Sequence, residues 1–132
     1  MIKNVLVLGS TGFIGTNIVK DFLDNNYNLV VLVRNKEKLT NKFSDHNNFT
    51  YIEGDIKQTS LIERVLVEHK IDLVIHLVSN LIPSSSLTDF NNEMREVVLP
   101  TFDLLELLSK LKIIIVYFSS GGTIYGNVND LI

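Results

Sequence analysis

Near the N-terminus, Gly9-Ser10-Thr11-Gly12-Phe13-Ile14-Gly15 sets three glycines at intervals of three. An apolar run of strand length precedes them and a stretch of helical periodicity follows, so the turn joins a strand to a helix. Each glycine has its own use there: Gly9 permits a tight turn, Gly12 leaves the backbone open to an approaching anion, and Gly15 lets the helix lie close on the strand. The first N–H groups of a helix lack intrahelical acceptors and carry a partial positive charge, which suits a diphosphate. Ser10, Thr11, Phe13 and Ile14 complete the turn and are expected beside the same ligand. A glycine-rich turn that binds nothing is the competing reading, and the strand before and the helix after weigh against it. The expected ligand is a dinucleotide.

Other residues at the ends of apolar runs have the right chemistry to line the same site. Asp55 and Ile56 follow the run Phe49–Ile52, and Leu77, Val78 and Ser79 close the run that begins at Leu73. Ser119 and Ser120 follow Ile113–Phe118, where ligands bind in open α/β sheets, just outside the carboxyl edge. Each has a plainer alternative: Asp55 as a helix cap, the serines as turn formers. His76 lies inside an apolar strand and is read as a packed, hydrogen-bonded residue with no catalytic role.

The elements that would position these residues alternate regularly. Strands are expected at Lys3–Leu8, Leu29–Val33, Phe49–Ile52, Leu73–Leu77 and Ile113–Phe118, nearly all apolar, as strands covered on both faces must be. Between them the periodicity predicts a helix from about Gly12 to Leu23, with Phe13, Ile14, Ile18, Val19, Phe22 and Leu23 turned to the sheet. A short helix is expected around Lys36–Lys42 and another over Thr59–Glu68, capped by Thr59 or Ser60. A long helix is expected from about Leu87 to Lys110, kinked by Pro100, with Ser84-Ser85-Ser86 as the loop leading into it. Strand, helix, strand in succession predicts a parallel sheet.

Composition narrows the class. The chain has 132 residues, 45% of them hydrophobic and 20% charged, which fits one globular domain. Its net charge of −3 and scattered basic residues argue against nucleic acid, whose phosphates need clustered Lys and Arg. No run is long enough to span a bilayer, so no membrane partner is expected. With no cysteine, and with His46, His69 and His76 far apart, no metal site is expected; the composition is compatible with a reducing cytosol, and a cytoplasmic location is expected.

Four motifs in one order give the sequence a family resemblance. Gly9-x-x-Gly12-x-x-Gly15, Gly54-Asp55-Ile56, Val74-Ile75-His76-Leu77-Val78-Ser79 and Ser119-Ser120-Gly121-Gly122-Thr123-Ile124-Tyr125-Gly126 together resemble the extended short-chain dehydrogenase/reductases, the NAD-dependent epimerase/dehydratase group. The resemblance implies a Rossmann-type doubly wound parallel sheet of order 3-2-1-4-5. It implies that Asp55 accepts a bond from the adenine amino group, that Ile56 packs on the ring, and that the end of the fourth strand lies against the cofactor. For the parent protein it implies transient hydride transfer from a sugar carbon to NAD or NADP, with a nucleotide-sugar as substrate.

The departures are as informative. Where an acid would bond the ribose hydroxyls at the end of the second strand, Val33 stands, followed by Arg34, with Lys36 and Lys38 beyond, so NADP is favoured over NAD unless Arg34 is only a solvated strand-end residue. Gly121 replaces the family's substrate-polarising hydroxyl, leaving Thr123, and more weakly Ser120, as catalytic candidates. No Tyr-x-x-x-Lys, the family's base and the lysine that lowers its pKa, occurs in the sequence. Residues 1–132 are thus expected to form an NAD(P)-binding domain truncated after the fifth strand, lacking the substrate-binding part and inactive alone. The fifth strand would then be an exposed or poorly covered edge, and a homo-oligomer, or else a poorly behaved monomer, is expected. The alternative function is a non-catalytic module that senses NAD(P).

Overall fold

The computed structural model describes residues 2–35, 43, 45–82 and 84–119. In chain order it contains β1 (Asn4–Leu8), α1 (Phe13–Asp24), β2 (Asn28–Val33), β3 (Phe49–Glu53), α2 (Thr59–Glu68) and β4 (Leu73–His76). The crossover to β5 (Ile114–Tyr117) consists of α3 (Leu87–Glu93), a π-helical turn (Met94–Val98) and α4 (Leu99–Leu111). The strands form one sheet of order β3-β2-β1-β4-β5, parallel at every pairing. This is the expected doubly wound sheet.

Alternation along β1 divides the core. Leu6 and Leu8 join Leu32, Val74, Ile62, Leu66, Leu104 and Leu108 on the face covered by α2 and α4. Val5 and Val7 join Val31, Ile75, Val19 and Leu23 on the face covered by α1. Double cover makes β1, β2 and β4 continuous hydrophobic runs. The edge strands β3 and β5 do not share it: Tyr51, Ile114, Val116 and Tyr117 are exposed, so the expectation of two-sided burial fails at both edges.

Three local expectations are corrected. Phe13 and Ile14 do not face the sheet; they are 88% and 52% exposed, because the first turn of α1 overhangs the carboxyl edge with no strand beneath it, and burial starts at Gly15 and continues through Val19 and Leu23. Neither Thr59 nor Ser60 caps α2. Gln58 occupies that position and its side chain instead accepts a bond from the Asp55 N–H at 2.7 Å. The long helix is not simply kinked at Pro100: the Leu99 N–H reaches back five residues to the Met94 carbonyl, and the widened turn makes room for a buried proline ring that would crowd the Glu96 carbonyl in a regular helix.

Ser86 caps α3, accepting from the Asp89 N–H while the Asp89 carboxylate accepts from the Ser86 N–H, and these bonds hold the Asp89 carboxyl below its usual range. At the amino edge of the sheet, Asp72 accepts from the N–H groups of both Lys3 and Asn4 at 2.9 Å, which lowers its pKa and fixes the start of β1 beside β4. The helix expected around Lys36–Lys42 lies outside the described residues. No described helix is long and apolar enough to cross a membrane.

Candidate functional site

Where the strand order reverses between β1 and β4, a cleft of about 230 Å³ opens at the carboxyl edge of the sheet. Its floor is the Gly9–Gly12 turn. Gly9 adopts φ +87°, and a Cβ there would stand 3.0 Å from the Leu77 backbone, so only glycine fits the bend. A Cβ on Gly15 would lie 2.2 Å from the Gly9 carbonyl oxygen, which is why α1 can sit directly on the turn. Gly12 is different: a Cβ would meet only that same carbonyl, at 3.6 Å, and otherwise enter the cleft.

The first intrahelical bond of α1 runs from the Thr16 N–H to the Gly12 carbonyl at 2.9 Å, so the N–H groups of Phe13, Ile14 and Gly15 precede it. No acidic side chain stands in that first turn to neutralise them. Ser10 is 4% exposed and its hydroxyl is buried without a hydrogen-bond partner. A glycine-walled turn, open helix N–H groups and an orphaned hydroxyl fit an anionic diphosphate.

The other walls bring together most of the residues expected from sequence. Arg34 stands at the end of β2, Asp55 and Ile56 after β3, and Leu77, Val78 and Ser79 after β4, all lining the cleft with Gly9, Thr11 and Gly12. Asp55 is held in place at both ends, its N–H donating to Gln58 and its Oδ1 accepting from the Lys57 N–H at 3.0 Å. Ser10, Phe13, Ile14 and Gly15 belong to the turn without lining the cleft, and Ser119 is exposed and lies apart from its lining. Ser120 and Thr123 lie outside the described residues.

Sequence reasoning missed the wall supplied by the crossover helix. Glu96 and Val97, on the π turn, and Asn80, in the loop after β4, also line the cleft. Glu96 pairs with Lys57, which follows Ile56 in the loop after β3, and this hydrogen bond raises the lysine's pKa. Behind the loop, buried Glu93 accepts bonds from Asn80. A π turn leaves no simple mark in a sequence, although Pro100 was a sign that the helix had to depart from α geometry near this point.

His76 is fully buried, and burial lowers its pKa, so it is neutral near pH 7. Its ring packs 5.0 Å from that of Tyr117. It supports the cleft from behind, as a packed residue should.

With this geometry the chain can be set beside known proteins. The family model described as "NAD dependent epimerase/dehydratase family" matches residues 5–132. The UDP-glucose 4-epimerase of Neisseria meningitidis is 28% identical over 130 residues, 95% of this chain and 38% of that protein. The crystal structure of dTDP-glucose 4,6-dehydratase from Bacillus anthracis in complex with NAD superposes with a TM-score of 0.80 at 25% identity, over 98% of this chain and 41% of that one. The UDP-glucose 4-epimerase of Bifidobacterium longum, in complex with NAD+ and UDP, gives a TM-score of 0.85 at 26% identity, covering 98% and 40%. The chain thus spans about two-fifths of the length of these relatives.

Proposed function

We propose, from the premise that this chain belongs to the NAD-dependent epimerase/dehydratase family, that residues 1–132 form the cofactor-binding domain of an oxidoreductase acting on a nucleotide-linked sugar. The observation that carries the proposal is the cleft itself: a glycine-walled helix N-terminus at the point where the strand order reverses, with Asp55 and Ile56 on one side and the end of β4 on the other.

In this reading the α1 N–H groups and Thr11 hold the diphosphate, Asp55 accepts from the adenine amino group, and Ile56 packs on the ring. Leu77, Val78 and Ser79 bound the cleft on the other side. A bound nicotinamide would supply a hydride acceptor that later returns the hydride. Arg34 at the β2 end supports NADP over NAD, since a guanidinium there attracts a 2′-phosphate and Val33 offers no acid to repel it. The dehydratase and epimerase structures described above hold NAD, so the preference belongs to this chain's own residues.

Proton transfer at the sugar is assigned to Thr123, or more weakly Ser120, together with a Tyr-Lys pair that these 132 residues do not contain; alone they turn over no sugar. The apolar side chains exposed on α4 and β5, Leu99, Phe102, Ile114 and Val116, support self-association, which sedimentation would detect.

Calorimetric titration with NAD and NADP in parallel tests the reading. Wild type should bind, Gly12→Val should abolish binding of both, and Arg34→Ala should weaken NADP about tenfold or more while sparing NAD. Failure of the wild type to bind either at millimolar concentration would leave a fold without the proposed ligand.

A further inference from the structure

Glu93 is a buried carboxylate to which the cofactor reading gives no task. It ends α3, is 6% exposed, and uses one oxygen, Oε2, to accept two bonds from a single residue: the Asn80 N–H at 3.0 Å and the Asn80 side-chain amide at 3.1 Å. Asn80 lines the cleft beside Val78 and Ser79.

How that loop is held gives the contact its meaning. The N–H groups of Val78, Asn80, Leu81 and Ile82 all donate to side chains: to His76, Glu93, Ser79 and Ser85 respectively. Three of those acceptors are two or three residues away in sequence, while Glu93 is thirteen away and reaches in from the crossover helix. Of these acceptors, Glu93 is the one that ties the loop directly to the crossover helix, while His76 ties its start to β4. A buried side chain that spends one oxygen on both the backbone and the side chain of Asn80 fixes the loop before a ligand arrives. The π turn begins at the next residue, so the segment that carries Glu93 also carries Glu96 and Val97, which line the same cleft.

We infer that Glu93 is a positioning residue that holds the Val78–Asn80 wall of the cleft in the shape the dinucleotide needs. The inference rests on the cofactor reading above. Without the tether, the loop samples other arrangements and the affinity falls by the fraction of molecules left in the competent one.

Titration of NAD and NADP into Glu93→Ala, Glu93→Gln and Asn80→Ala tests it. Glu93→Ala should weaken both dinucleotides alike, by about tenfold, in contrast to the NADP-selective effect of Arg34→Ala. Glu93→Gln keeps an acceptor oxygen for both bonds and should bind within about threefold of wild type. Asn80→Ala, made from the exposed side, keeps the backbone bond and should lose less, and should add nothing to Glu93→Ala. Amide hydrogen exchange at residue 80 should quicken in Glu93→Ala and stay slow in Glu93→Gln. Wild-type affinity in a folded Glu93→Ala chain overturns the inference, as does a Glu93→Gln variant that loses as much as Glu93→Ala. A wild type that binds neither dinucleotide overturns the cofactor reading itself.

Discussion

His76 on β4 and Thr101 on α4, 25 positions apart, meet at 3.0 Å between Nε2 and Oγ1 inside the core. The Thr101 hydroxyl donates to the Val97 carbonyl at 2.7 Å, so it can only accept from the ring, and Nε2 must carry the proton. Nδ1 is then free to accept from the Val78 N–H at 3.3 Å. One neutral imidazole thus joins a strand end, a loop of the cleft and the π turn, with Val78 and Val97 both in the cleft lining.

Thr101→Val should expose the cost of that join. The substitution keeps the shape but leaves the ring N–H without an acceptor, and a buried unsatisfied donor costs about 1–3 kcal/mol. Urea denaturation should show that loss for Thr101→Val and recover most of it for Thr101→Ser; equal stability of wild type and the valine variant would disprove the hydrogen bond's role.

Stability should also depend on pH through His76. Burial depresses the native pKa, so as pH falls below about 6.5 the unfolded chain takes up a proton that the native chain refuses. This contribution is complete above that pH and shrinks as pH falls towards the native pKa. Denaturation midpoints measured from pH 8 to pH 5 should fall in the acid range, and the fall should be shallower in His76→Gln.

Gly15 and Gly12 should separate folding from binding. Gly15→Ala puts a methyl 2.2 Å from the Gly9 carbonyl oxygen and forces α1 away from the turn, a strain of about 1–3 kcal/mol read as a lowered Tm. Gly12→Ala meets that oxygen at 3.6 Å, within ordinary contact, so Tm should hold while dinucleotide affinity falls. The reverse pattern would mean that the turn is built for stability alone.

Ser10 offers the opposite trade. Its hydroxyl is buried without a partner, so Ser10→Ala should leave the ligand-free protein as stable or raise its stability by about 1 kcal/mol. The same change should weaken dinucleotide binding several-fold. Unaltered affinity would remove Ser10 from the site.

Much of the fold was legible because its signals are local. The four apolar residues Val5–Leu8, bounded by a glycine turn, read as a strand covered on both sides, and two of the glycines that follow, Gly9 and Gly15, occupy places whose φ or close contacts no other residue permits. Leu61, Ile62, Val65 and Leu66 at helical spacing gave α2 its full range, Thr59–Glu68. Legibility failed where a residue's environment is set by a neighbour distant in sequence. Phe13 and Ile14 carry the periodicity of a buried face, yet they are exposed because no strand extends beneath the first turn.

The glycine turn after β1 and the residues at the ends of β2, β3 and β4 were readable from the chain alone, since each follows from periodicity, glycine chemistry or a motif a few residues long, and the strand order followed from the family resemblance that those motifs carry. Which wall the crossover helix contributes was fixed by packing alone. Glu96 and Val97 reach the cleft on the π turn of the crossover, Glu93 just before that turn holds Asn80 from behind the lining, and Glu96 pairs with Lys57 from the loop after β3. Contacts of that range depend on how the chain packs, and no local rule of spacing encodes them.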